Sequence, residues 1–123
     1  FRDSSAWYHI VLAIDTTQAT PTDRVKIYIN GRLIPPSAFT LNNTYPAQNY
    51  NMGYYNKSGV QHNLGCYSSG SQPLDGYMAD VYFIDGQQLT PTSFAGYDSN
   101  GMWVPVAYGG SYGTNGYHLV VRY

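Results

Sequence analysis

Hydrophobic and polar residues alternate along the segment Arg24–Asn30. One face carries Val25, Ile27 and Ile29, whereas the outward face is polar and includes Arg24. A period of two residues is typical of a strand with one buried face, so the pattern predicts a strand here. The Asn30-Gly31 dipeptide favours the tight turn of a hairpin, with Arg32–Ile34 as the returning strand.

The earlier segment Trp7–Asp15 is apolar on both faces. Two alternating sets of residues form these faces: Tyr8, Ile10, Leu12 and Ile14, and Trp7, His9, Val11 and Ala13. This pattern is typical of a strand that is covered on both sides. We therefore expect a central strand, with Trp7 in the hydrophobic core.

The segment Leu74–Phe94 combines a strand with a short helical turn. Gly76–Ile84 is rich in aromatic and branched residues, and Asp-Gly pairs at both ends predict turns that bound a strand. Thr90 is a favourable N-cap, and Pro91 suits the first helical position. These residues predict one helical turn over Thr90–Phe94.

Four further segments carry weaker strand patterns. They are Asn51–Tyr55, His62–Tyr67, Met102–Val106 and Tyr117–Tyr123. Gly, Pro and polar residues between the strands predict loops at 16–23, 37–51, 68–73, 95–101 and 107–116. Many short strands separated by turn residues indicate an all-β protein, an antiparallel sandwich or barrel, built as a single domain over residues 1–123.

Composition supports the all-β prediction and narrows the range of partners. The chain has 13 Gly, 7 Pro and 14 Tyr, and its seven acidic residues are all Asp, so helix-favouring residues are scarce. Six Lys and Arg residues and a net charge of −1 argue against nucleic acid and anionic membranes as partners. No apolar run approaches the length of a membrane-spanning helix, so we expect no membrane insertion.

Three segments together resemble one known family. They are Trp7–Val11 (WYHIV), Val25–Gly31 (VKIYING) and Asp75–Tyr82 (DGYMADVY). Their order and spacing resemble the concanavalin A-like lectin/glucanase family, also described as laminin G-like, in which strands of the types W-x-H-[VI], Y-[VI]-N-G and D-G-x-[IL]-x-[DE]-[VI] follow one another. The resemblance implies an antiparallel β-sandwich of the jelly-roll type.

A narrower resemblance rests on the run from Phe1 to Ile29, on FIDGQQLTPTSF, and on the later WVP and YGTNGY motifs. These pieces are similar to domains of tailed-bacteriophage virion proteins. In such relatives one or more strands precede the FRD-x-x-A-W segment, so we expect this chain to lack its N-terminal strand or strands.

The phage resemblance implies a non-catalytic structural or adhesion module on the virion surface, in a tail fibre, a head fibre or a capsid decoration. Its partners would be other virion proteins, further copies of itself in a homo-oligomer such as a trimer, and host-surface polysaccharide. The alternative is a carbohydrate-binding module of a cellular or secreted protein.

Catalysis is not expected. Retaining glycosidases of this fold use two closely spaced carboxylates, commonly the Glu residues of an E-x-D-x-E strand motif, and this chain has no Glu. Asp80 is the only acidic residue inside its predicted strand, and Asp75 and Asp85 fit turns. The missing Glu residues therefore oppose a third hypothesis, a glucanase.

A calcium ion is implied by the resemblance, because laminin G-like domains often hold one near a loop rim. Aspartate oxygen atoms are suitable ligands for this hard cation. The candidate ligands are Asp80, Asp15 and Asp98. A structural role in turns and on the surface is the alternative for each, and we predict no other cofactor.

Glycan binding is the strongest ligand hypothesis. Sugar sites need flat aromatic faces beside amide and hydroxyl groups, and the region from Tyr45 to Tyr67 supplies both. The candidate residues are Tyr45, Tyr54, Tyr55, Tyr67, Asn56 and Asn63. The alternative is that these tyrosines pack across strands or against a neighbouring subunit, because Tyr is also frequent at protein interfaces.

Overall fold

A computed structural model describes residues 3–38 and 44–120. The described strands pair in antiparallel sheets and the helices are short, so the all-β class is confirmed. Contacts divide the chain into two compact units, Phe1–Asn51 with Gln88–Gly110, and Met52–Gln87 with Ser111–Tyr123. The single domain over residues 1–123 stays a prediction. Part of the predicted 37–51 loop and the end of the predicted last strand lie outside the described residues.

The first unit contains a three-stranded antiparallel sheet in the order β1 (Ile10–Ile14), β2 (Val25–Ile29) and β3 (Arg32–Leu33). The register pairs Ile10 with Ile29 and Ile14 with Val25. Asn30 and Gly31 have φ angles of 48° and 79°, which are the left-handed values that a two-residue hairpin turn requires. The hairpin predicted at Asn30-Gly31 is confirmed.

The predicted central position of the first strand is wrong for the described part of the chain. Among the strands that the structure describes, β1 lies at an edge of its sheet and pairs with β2 alone. Trp7, expected in the core, precedes β1 and is 65% exposed. The apolar pattern on both faces of this segment identified a strand, but it did not show how many neighbours the strand has, because pairing joins residues that are distant in sequence.

A short helix, α1 (Pro21–Arg24), lies between β1 and β2, where a loop was predicted. Pro21 begins the helix, and Asp23 N donates to Thr20 O over 3.0 Å. Arg24 was assigned to the outward face of a strand, and this assignment is wrong. The residue ends α1 and is buried, because its position in the helix turns the side chain towards neighbouring backbone carbonyl groups.

A second hairpin of the first unit pairs β5 (Ala95–Tyr97) with β6 (Trp103–Pro105). β6 confirms the strand predicted over Met102–Val106, whereas β5 occupies a segment predicted to be a loop. The helical turn predicted at Thr90 is confirmed as a 3-10 helix over Pro91–Ser93, although Thr90 makes no capping hydrogen bond. Ala13, Pro91 and Ala95 are the buried apolar residues of the described chain.

The second unit contains β4 (Val81–Phe83) and β7 (Tyr117–Leu119), which pair antiparallel with Tyr82 opposite His118. The predicted strand Gly76–Ile84 is therefore much shorter than expected. Asp80 has a φ angle of 49°, and a left-handed residue cannot continue a pleated strand. The strands predicted over Asn51–Tyr55 and His62–Tyr67 are also wrong, since bends, turns and irregular backbone occupy both segments.

Candidate functional site

The exposed tyrosines of the second unit are the main candidate site. Tyr54, Tyr55 and Tyr67 are 80%, 54% and 69% exposed. None of these three rings stacks on another aromatic ring within the described residues. They therefore present their faces to solvent rather than to each other, which is the condition for stacking on a ligand.

Tyr67 lies in a loop that its own backbone closes. Leu74 N donates to Gly65 O over 2.6 Å, and Tyr67 N donates to Ser71 O over 2.8 Å. Within this closed loop, Ser68–Gly70 forms a short 3-10 turn. The backbone that carries the Tyr67 ring is therefore held by hydrogen bonds, although no strand passes through it.

Asn56 is fixed by a polar cluster around Asp85. Asn56 Nδ2 donates to Asp85 Oδ1 over 2.5 Å, and Asn115 donates to Asp85 Oδ2 from Nδ2 over 3.0 Å and from its backbone N over 3.2 Å. The backbone N of Asp85 in turn donates to Tyr112 O over 2.8 Å. This carboxylate joins the Tyr54–Asn56 loop to the Gly-rich loop before β7.

Asn63 and Tyr45 differ in their placement. Asn63 is exposed in the second unit, where its Oδ1 accepts from Gln61 Nε2 over 2.9 Å. Tyr45 belongs to the first unit, where it lines a pocket of about 150 Å³ together with Ile27 and Ile34. The structure thus places five of the six candidate glycan residues in one unit and Tyr45 in the other.

Two of the three candidate calcium ligands, Asp15 and Asp98, accept local hydrogen bonds. The pKa of Asp15 is lowered because Thr17 and Gln18 donate to its carboxylate. Asp98 Oδ1 accepts from the backbone N of Asn100 and of Met102 over 2.8 and 2.9 Å. These are the contacts of aspartates that shape turns.

Asp80, the third candidate, lies in the second unit, whereas Asp15 and Asp98 lie in the first. Its Oδ1 is 3.1 Å from His118 Nε2. Within residues 3–38 and 44–120, no three His, Cys, Asp or Glu side chains form a group that could hold a metal ion. The calcium site remains a prediction from resemblance.

One aromatic cluster was not anticipated from the sequence. The rings of Tyr82 and His118 stack with centroids 4.0 Å apart, and the rings of Tyr82 and Tyr112 lie nearly parallel with centroids 6.4 Å apart. These residues come from β4, β7 and the loop before β7. Their proximity follows from the β4–β7 register, which nothing in the local sequence indicates.

The comparisons with known proteins identify no relative. No protein-family model matches the chain, and no curated protein or solved structure is significantly similar to it. The described helices also lack the length and apolar character that crossing a membrane would require.

Proposed function

We propose that the chain is a non-catalytic structural and adhesion module on the surface of a tailed-bacteriophage particle, where it contacts glycans of the host surface. The module would belong to a tail fibre, a head fibre or a capsid decoration, among other virion proteins. The motif resemblance supports this setting. The absence of Glu from the sequence supports a binding role rather than glycoside hydrolysis.

The observation that carries the binding proposal is the exposure of Tyr54, Tyr55 and Tyr67 beside hydrogen-bonded amide groups. A tyrosine ring offers a flat apolar face to the C–H side of a sugar, and its hydroxyl and a neighbouring amide can bond to sugar hydroxyls. Exposed aromatic residues that are held by structured loops can make these contacts with little loss of conformational entropy.

A concanavalin A-like jelly roll is our proposal for the complete fold. The antiparallel pairing of every described sheet and the order of the three resembling segments support it. In such a sandwich, strands hold the core while connecting loops remain available for ligands. The tyrosine-bearing segments 52–67 would then be the ligand-contacting loops.

The test is retention of the chain by host-surface polysaccharide, together with a glycan array. We expect the variant that combines Tyr54→Ala with Tyr55→Ala to lose affinity by about fivefold or more, because each aromatic contact contributes roughly 0.5–1.5 kcal/mol. Tyr97→Ala is the matched control, since Tyr97 is as exposed as Tyr67 but belongs to the other unit.

Two results would contradict the proposal. The first is a wild-type chain that binds no glycan, and the second is a double variant that is retained as well as the wild type. Binding to one defined soluble glycan, without retention by bacterial surface polysaccharide, would instead indicate a carbohydrate-binding module of a cellular or secreted protein.

A further inference from the structure

Alternate residues of β1 direct their backbone hydrogen bonds to opposite sides. Asn30 N donates to His9 O over 2.8 Å, and Asp15 N donates to Arg24 O over 2.9 Å. The odd-numbered residues from 9 to 15 therefore bond to the β2 side of the sheet. By the alternation of an antiparallel ladder, Ile10, Leu12 and Ile14 direct their N–H and C=O groups away from β2.

These outward groups form an open sheet edge. Within the described residues, the backbone groups of Ile10, Leu12 and Ile14 that face away from β2 have no hydrogen-bond partner. The open stretch ends at Thr16, whose carbonyl accepts from Asn49 N over 2.8 Å. The free edge is thus as long as β1 itself.

The edge carries none of the features that normally prevent strand pairing. Natural proteins protect edge strands with Lys, Pro, bulges or very short strands, whereas β1 has the sequence IVLAI. Ile10 and Leu12 are 55% and 49% exposed. The opposite edge of the same sheet is protected, because β3 has two residues, includes Arg32 and is followed by Pro35 and Pro36.

We propose that the free edge of β1 pairs with β1 of a second copy of this chain. The two strands run antiparallel about a two-fold axis at Leu12, so that Leu12 faces Leu12 of the second copy and Ile10 faces Ile14. This register joins two three-stranded sheets into one continuous sheet of six strands. It places all three outward-facing residues of each copy in hydrogen-bonded pairs.

Polar residues at the ends of β1 favour this register. It sets His9 opposite Asp15 of the second copy, at a position where the backbones do not bond and the side chains approach closely. Trp103 Nε1 donates to His9 Nδ1 over 3.1 Å, so the ring proton of neutral His9 is on Nε2 and can be donated to a carboxylate. The pairing occurs twice, once at each end.

Registers shifted by two residues fit less well. Counted over β1 itself, Ile10–Ile14, a shift in either direction leaves two hydrogen-bonded pairs instead of three. One of these shifts sets His9 opposite Ala13, and the other sets Asp15 opposite Val11. In each case a polar residue at the end of the strand faces an apolar side chain. The hydrogen bonds and the polar ends therefore favour the same arrangement of the two strands.

This pairing is independent of the glycan proposal, because β1 and the exposed tyrosines Tyr54, Tyr55 and Tyr67 belong to different units. It also predicts a dimer rather than the trimer expected from the phage resemblance. The measured mass of the assembly in solution distinguishes the two, and either outcome leaves glycan retention to be judged by its own assay.

The first test is the mass of the chain in solution, measured by sedimentation equilibrium up to about 0.5 mM, because small interfaces bind weakly. We expect twice the chain mass for the wild type and a single chain for Leu12→Lys, which sets two like charges side by side on the axis. Leu33→Lys is the matched control, with the same residue type at 50% exposure on the opposite sheet edge, and it should remain dimeric.

A monomeric or trimeric wild type would overturn the proposal, as would dissociation by Leu33→Lys to the same extent as by Leu12→Lys.

The second test does not depend on how well the lysine variants fold. Leu12→Cys, in a Cys66→Ser background, should form a disulfide between two copies under mild oxidation. The Cα atoms of opposed residues in a hydrogen-bonded pair lie about 5.5 Å apart, which is within the range of Cα separations that a disulfide spans. Leu33→Cys should not form one, and equal cross-linking of both variants would refute the register.

Discussion

Arg24 shows how a single side chain can join separate pieces of backbone. It is 9% exposed, and its guanidinium donates to the carbonyl groups of Gln18, Ala19 and Pro46 over 2.8, 2.8 and 2.9 Å. Among the described residues, no carboxylate lies within salt-bridge distance of it. Three carbonyl dipoles therefore compensate the buried charge, and the planar fork of Arg suits this geometry better than the single ammonium of Lys.

His9 is a titratable residue whose environment should make the stability of the first unit depend on pH. Burial lowers the pKa of His9 below its ordinary value, and its Nδ1 accepts a hydrogen bond from Trp103 Nε1. As the pH falls below about 6.5, the unfolded chain takes up the proton first. The free energy of unfolding should therefore be highest above that pH and should fall as the pH decreases through the folded pKa, where the bond to Trp103 is lost.

The check is the urea midpoint of unfolding measured between about pH 5 and 8. His9→Asn keeps a side-chain oxygen that can accept from Trp103 but removes the titration, so its midpoint should vary less with pH than that of the wild type. His62→Asn makes the same replacement at an exposed histidine of the other unit and serves as the control for the substitution itself. Equal pH dependence in His9→Asn and the wild type would refute this role of His9.

At the scale of elements, the β2–β3 turn is joined to the β5–β6 hairpin through Trp103. A β-carbon built on Gly31 would lie 2.9 Å from Trp103 Cζ2, which is shorter than an ordinary carbon–carbon contact. Trp103 also contacts Tyr97 edge-on, with ring centroids 5.0 Å apart. The indole cannot easily move aside, because its Nε1 bonds to His9 as well.

We therefore expect Gly31→Ala to destabilise the chain by more than the strain of its backbone alone. Gly31 and Gly101 have similar φ angles, 79° and 76°, so alanine costs roughly 1–2 kcal/mol at either position. Only Gly31 has Trp103 against it, whereas a β-carbon on Gly101 would meet no atom within 4 Å. Urea unfolding of both variants should show the larger loss for Gly31→Ala, and equal losses would contradict the role given to the Trp103 contact.

The sequence predicted those elements whose structure depends on near neighbours. The Asn30-Gly31 turn and the helical turn at Pro91 were correct, because the conformational preferences of these residues act locally. The strand at 76–84 was predicted too long, because the left-handed backbone of Asp80 interrupts it. The hydrophobic and polar pattern of the segment does not reveal this backbone conformation. β5 was missed because Ala95-Gly96-Tyr97 carries no alternating pattern, and it exists through its pairing with β6.

At the scale of the whole molecule, the sequence predicted the kinds of surface better than their positions. The abundance of Tyr and scarcity of charge correctly indicated exposed tyrosines, of which Tyr54 and Tyr67 are examples. The sequence could not show that Tyr45 belongs to a different unit from Tyr54, because the two residues are only nine positions apart. Which side chains converge depends on the path of the chain between them, and the Asp85 bonds to Asn56 and Asn115 show this over 29 and 30 residues.

The low charge of the chain leads to a prediction about how it holds a glycan. Six Lys and Arg residues against seven Asp give a net charge of −1, so no strong field is available to attract a charged ligand. Stacking on tyrosine and hydrogen bonds at short range are not screened by salt, whereas contacts between exposed charges are.

We expect the affinity for a neutral polysaccharide to change by less than about twofold between roughly 0.05 and 0.5 M NaCl, a range over which the Debye length falls about threefold. Retention on a column of that polysaccharide measures this, and a polyanionic column serves as the control because ionic retention weakens steeply with salt. A large loss of retention on the neutral polysaccharide would assign the contact to the few charged side chains instead of to the tyrosines.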